Sequence, residues 1–81
     1  MRSTVIIEKR GRGYVATVNG REGGGYRLAR AGLDDETAAA FAAREMLRYA
    51  VGNPEGGDLI APVDVLSLVP EHLHRIEPDA K

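Results

Sequence analysis

The stretch "LDDETAAAFAAREMLRYAVGNP", residues 33–54, constrains the fold more than any other, because it carries nearly every signal of a single long helix. Asp34 or Asp35 can accept the first free amide protons, Glu36 joins them at the positive end of the helix dipole, and alanine has the best helix propensity. Gly52 offers a left-handed cap and Pro54 forbids continuation, so the helix is predicted over about residues 35–51. At about 100° per residue, Ala39, Ala43, Met46 and Ala50 form a central stripe, flanked by Ala42 on one side and Ala40 and Leu47 on the other. That stripe is expected to lie on a sheet. Phe41 falls on the polar side with Thr37, Arg44, Glu45 and Arg48. It is either bent under a loop or exposed, with Arg44 and Arg48, as a contact for another protein chain.

The sheet is sought upstream. "STVIIEK", residues 3–9, has the β-branched run of a strand, and "YVATVN", residues 14–19, alternates Tyr14, Ala16 and Val18 with Val15, Thr17 and Asn19. Between them "RGRG" is of hairpin length, and Gly11 and Gly13 can each take positive φ. The glycine-rich "GREGGG", residues 20–25, leads to a third strand, "YRLAR", residues 26–30. Downstream, "GNPEGGD", residues 52–58, reads as a flexible connection. "LIAPVDVLSLV" reads as a strand at about 63–69, with a helix starting at Pro62 as the competing reading. "PEHLHRIEP" reads as one or two helical turns with Val69, Leu73 and Ile76 on one face, and residues 78–81 as a loose tail.

The fold class expected is therefore α+β: a three-stranded antiparallel sheet with one long helix on one face, completed by a C-terminal strand and short helix. With 81 residues this is one small domain, residues 1–81. A core of this size leaves modest stability, and no cysteine is present to add a disulfide or a zinc site, so self-association is expected. No apolar run approaches the roughly 20 residues of a membrane span, and no signal-peptide core is visible. The chain is read as cytoplasmic, with no membrane partner.

Chemistry is sparse. "GRGYVA", residues 11–16, fits a loose dinucleotide-loop pattern, but a strand follows where a helix must open to meet a pyrophosphate. His72 and His74 point apart on a helix and lack a third ligand, so no metal is expected. The hydroxyls lack a nucleophile's surroundings, and Asp34 and Asp35 are explained by the helix start. Neither an enzyme nor a cofactor is expected. Charge is more informative. Residues 1–32 carry seven Lys or Arg against two Glu, and residues 33–81 four against ten acidic residues, which gives +5 and −6 around a net −1. Lys9, Arg10 and Arg12 on the hairpin, Arg21 in the glycine loop, and Arg27 and Arg30 on the third strand interleave with Tyr14 and Tyr26. Such a set can hold phosphates and stack bases. Against nucleic acid stand the pI of about 6.1 and the interrupting Glu8 and Glu22.

The run "GYVATV", residues 13–18, followed by "AGLDDETAAAFAAREMLRYAV", resembles the HicB antitoxins and their partial-domain relatives. Gly13 to Val18 match that family's second strand, Ala39 and Ala43 its helix alanines, and "ARE" at residues 43–45 the middle of its helix. The likeness covers about residues 4–51. "GREGGG" stands where the family usually carries a segment like "PDLPGC", so no functional residue carries over. The resemblance implies a partner-binding or regulatory module that dimerises and has no catalysis of its own. A non-enzymatic, homo-oligomeric protein-interaction module is thus the leading expectation, meeting its partner through the sheet's open edge or its second face, where Ile6 and Val15 lie. Nucleic-acid binding by residues 9–12 and 26–30 is the alternative.

Overall fold

The computed structural model describes residues 2–19 and 26–78, with residues 19 and 26–30 described by their backbone. Strands β1 (Ser3–Arg10), β2 (Gly13–Asn19) and β3 (Tyr26–Leu33) are followed by helix α1 (Asp35–Gly52), strand β4 (Gly57–Ile60), the short helix α2 (Val63–Leu66), a 3-10 turn (Glu71–Leu73) and strand β5 (Arg75–Ile76). They build one mixed sheet in the order β3-β2-β1-β4-β5 against which the helices pack. The α+β expectation holds, with five strands where three and a C-terminal strand were expected.

The β1–β2 hairpin closes as tightly as its glycines allow. Arg10 pairs with Gly13, so Gly11 and Arg12 form a two-residue loop. Gly11 has φ 60° and Arg12 does not have positive φ, the pattern of a type II′ turn whose twist matches the strands. Gly13 is not left-handed as expected. A Cβ there would stand 3.1 Å from Gly32 C and Leu33 O, so its glycine serves the close approach of β3. The third strand runs through Leu33, three residues beyond the expected end, because two register shifts against β2 place extra residues on it. Gly32, at φ 69°, lies in the second of these bulges, and Leu33 follows it into the core.

α1 begins as predicted. Asp34 Oδ1 accepts a hydrogen bond from Thr37 N at 2.7 Å, and Asp35 and Glu36 occupy the first turn. Its end differs. Gly52 is helical, and Asn53 caps the helix in extended conformation, its N–H donating to Tyr49 O. The buried face differs as well: Ala38, Ala39, Phe41, Ala42, Glu45, Met46 and Tyr49 point inward, while Leu47 and Ala50 are exposed. The helix is turned roughly a quarter turn from the alanine stripe, because burying the rings of Phe41 and Tyr49 removes far more apolar surface than burying alanines. Phe41 is 8% exposed, so of its two readings the exposed contact is excluded and burial holds.

The segment expected to be flexible contains the start of β4, which runs parallel to β1 with Val5 opposite Leu59 and Ile6 opposite Ile60. Residues 63–69, expected as a strand, are α2 and the turn after it, so the competing helix at Pro62 is the correct reading. Proline's fixed φ suits a helix start, and Val65 buries fully from there. Of "PEHLHRIEP", one 3-10 turn forms and then β5 pairs with β4. The core lies between the sheet and the helices: Val5, Ile7, Tyr14, Ala16, Val18 and Leu59 from the sheet meet Met46, Val65, Val69 and Leu73.

Candidate interaction surface

Alternation along the strands divides the sheet. Val5, Ile7, Tyr14, Ala16, Val18 and Leu59 face the helices, and Thr4, Ile6, Val15, Thr17 and Ile60 take the opposite face. Register brings these together. Thr17 on β2 pairs with Ile6 on β1, which pairs with Ile60 on β4, so a row three strands wide crosses the middle of the open face. Ile60 is 57% exposed, and Ile6, Val15 and Thr17 are half-buried. Among the described residues one sheet and one helical layer are present, and none of them forms a third layer over this face.

Both sheet edges are blunted. β5 has two residues, and β3 carries two register shifts that break the regular spacing a partner strand needs. Short edges and bulges are the devices by which sheets avoid adding strands. These features weigh against a partner strand at either edge and draw attention to the face.

The described ions near this face include several pairs. Arg10 Nη2 lies 3.4 Å from Glu8 Oε1 at the hairpin end. At the other end Arg2 forks onto Asp58, with Nε to Oδ2 and Nη2 to Oδ1 both at 3.0 Å. Arg2 also donates to the carbonyls of Glu55, Gly57 and Ile76. Arg75 pairs with Glu77 and lies 3.9 Å from Asp58. Beside this cluster Asn53 donates to Ser3 Oγ and Gly56 O, both at 2.9 Å, joining the helix end to the start of β1. Sequence reading missed Arg2, whose partners lie more than fifty positions away.

The Arg2 hydrogen bond holds the Asp58 carboxyl below the ordinary carboxylate range, and the Thr37 side chain, followed by the Thr37 amide, does the same for Asp34. A carboxyl whose folded pKa lies below its unfolded value stabilises the fold above the unfolded pKa, about 3.9, and loses that contribution as pH falls through the folded pKa. Stability is therefore expected to be level near neutrality and to fall below about pH 4, and Asp58→Asn is expected to flatten that acid limb. Urea midpoints followed by circular dichroism across pH 2 to 7 read this directly. An acid limb unchanged in Asp58→Asn would remove Asp58 from the account.

The structure separates the residues proposed for nucleic acid. Lys9, Arg10 and Arg12 are exposed at the hairpin end. Lys9 Nζ sits 4.6 Å from the centre of the Tyr14 ring, and Arg10 is engaged by Glu8. Tyr14 is 5% exposed in the core, so its ring is not presented for stacking, which corrects that reading. Arg21 and the side chains of Tyr26, Arg27 and Arg30 lie outside the described residues. Arg44 and Arg48 are exposed on α1, the first 5.9 Å from the Phe41 ring centre and the second 3.7 Å from Glu45. The two histidines differ in their surroundings. His72 is exposed, but His74 is half-buried, its Nε2 within 3.1 Å of Leu66 O and 2.9 Å of Val69 O. Carbonyls only accept, so Nε2 carries the proton. Among the described residues no group of His, Asp or Glu is arranged to hold a metal, and no helix is long and apolar enough to cross a membrane. Neither a protein-family model nor a curated protein matches this chain.

Proposed function

We propose that this chain is a non-catalytic, homo-oligomeric interaction module that binds other protein chains, its own copies included, through the open face of its sheet. The observation that carries this reading is the contrast between two guarded edges and the adjacent pair Ile6 and Ile60, flanked by Thr17, in the middle of the face. Neighbouring exposed apolar side chains on a sheet face can mark a contact site. The resemblance of residues 4–51 to the HicB antitoxins supports the same reading. Nucleic acid is the reading set against it, supported by the exposed Lys9, Arg10 and Arg12.

The discriminating experiment is the ratio of absorbance at 260 and 280 nm of protein purified gently at low salt, repeated after a high-salt wash. Three tyrosines and no tryptophan absorb weakly, so traces of nucleic acid dominate the spectrum. A protein-like ratio at both stages is expected. A high ratio that falls with salt, and that Arg10→Ala with Arg12→Ala abolishes, would overturn the proposal, because phosphate contacts are salt-sensitive.

A further inference from the structure

We infer that residues 75–78 form a latch that opens about His74 while the rest of the fold stays closed, and that Arg2 is the side chain that fastens it. The inference concerns one edge of the sheet and stands apart from the open-face reading above. Its first argument is how little apolar surface holds the segment. Arg75, Glu77 and Pro78 are exposed, and Ile76 is only half-buried. The ladder to β4 is two residues long, Gly57 with Ile76 and Asp58 with Arg75. Leu59 N donates to His74 O at 3.0 Å, and hydrogen-bonded pairs alternate along an antiparallel ladder, so Gly57 with Ile76 is the hydrogen-bonded pair of the two. Segments with few buried apolar contacts open at free energies well below that of global unfolding.

The contrast at His74 sets the hinge. Leu73 is buried, and His74 Nε2 is held between Leu66 O and Val69 O, so the chain is anchored to the helical layer up to residue 74 and seated mainly by polar contacts after it. Arg2 supplies the fastening. It precedes β1, yet its guanidinium reaches across the start of β4 to β5, where Nη2 donates to Gly57 O at 3.2 Å and to Ile76 O at 3.1 Å. The fork onto Asp58 holds the guanidinium in place for both. Hydrogen bonds from a charged donor are roughly twice as strong as neutral ones, so this one side chain adds as much as the ladder pair it stands beside. With the latch open, β4 becomes the edge strand and the Gly57 amide faces solvent. The guard on that edge is thus removable.

Amide hydrogen exchange of the full chain, resolved by nuclear magnetic resonance across low urea concentrations, reads the latch. In the wild type the Gly57 and Ile76 amides are expected to be protected at least about tenfold less than the amides that pair β1 with β2. Their exchange is expected to be nearly independent of urea, because the opening exposes little surface. Arg2→Ala is expected to lower the protection of these two amides at least about tenfold further, with a smaller change between β1 and β2. Should Arg2→Ala not fold, Gly56→Ala gives the same readout, because its Cβ would collide with the Ile76 carbonyl oxygen and hold the latch open.

Gly57 and Ile76 amides that exchange at the rate, and with the urea dependence, of the β1–β2 amides would overturn the latch. An equal loss of protection at both sets of amides in Arg2→Ala would make Arg2 a general stabiliser and overturn its role as the fastener.

Discussion

Met46→Ala is expected to lower stability by about 3 kcal/mol, the middle of the range for emptying a buried methionine site. Met46 is fully buried on the inward side of α1, and Val5 and Val65 are the other large side chains buried as completely. Shortening the side chain loses its transfer free energy and leaves a cavity that a helix and a five-stranded sheet cannot close by small movements. A domain of this length has roughly 4 to 12 kcal/mol in total, so the variant should unfold at a much lower urea concentration than the parent. Met46→Leu keeps the volume and is expected to cost less than about 1.5 kcal/mol. A loss below about 1 kcal/mol for Met46→Ala would mean that the helix is not seated as described.

Gly56→Ala is expected to be as damaging for a different reason. Gly56 has φ 80°, and a Cβ on it would collide with the carbonyl oxygen of Ile76 and come within 2.9 Å of Arg2 Nη1. The left-handed conformation alone costs an alanine about 1 kcal/mol, and displacing β5 brings the total to about 3 kcal/mol. Two other glycines calibrate the result. Gly32 has φ 69° with nothing within 4 Å, so Gly32→Ala is expected to cost only the conformational part, about 1 kcal/mol. Gly52 is helical and open, so Gly52→Ala is expected to stabilise by up to about 1 kcal/mol. Thermal and urea unfolding of the three variants together separate collision from conformation. Equal losses at Gly56 and Gly32 would refute the close packing of β5 on residue 56.

These glycines also show where the sequence was legible and where it was not. Local signals were read correctly where the cause is local. The helix start at Asp34 or Asp35, the β-branched run of β1, the alternation of β2, and Gly11 in its turn each depend on residues within a few positions. Gly56 and Gly57 were read as flexibility because nothing nearby in sequence reveals their neighbours, Ile76 in one case and the Tyr49 ring, 2.5 Å from a Cβ on Gly57, in the other. Missing β4 hid Ile60, so the open face was seen only through Ile6 and Val15. The helix face failed for a related reason. Counting alanines gave each apolar position equal weight, whereas Phe41 and Tyr49 bring most of the area and drew Glu45, lying between them in sequence, into burial. A search for the largest side chains at spacings of four would have found that face. Arg2 left no signal, since its role exists only once residues 55–58 and 76 lie beside it.

The parallel pairing of β1 with β4 bears on how the chain is made. β1 is an interior strand of the finished sheet, yet the residues that cover its far side, 57–60, follow the whole of α1. During synthesis the β1–β2 hairpin can close as soon as it is free of the ribosome, while that flank of β1 waits with its amides and carbonyls unpaired. Such a transient strand edge is a template for pairing with neighbouring nascent chains. Glu8, Lys9, Arg10 and Arg12 at its hairpin end place charge beside that edge for the interval before β4 arrives.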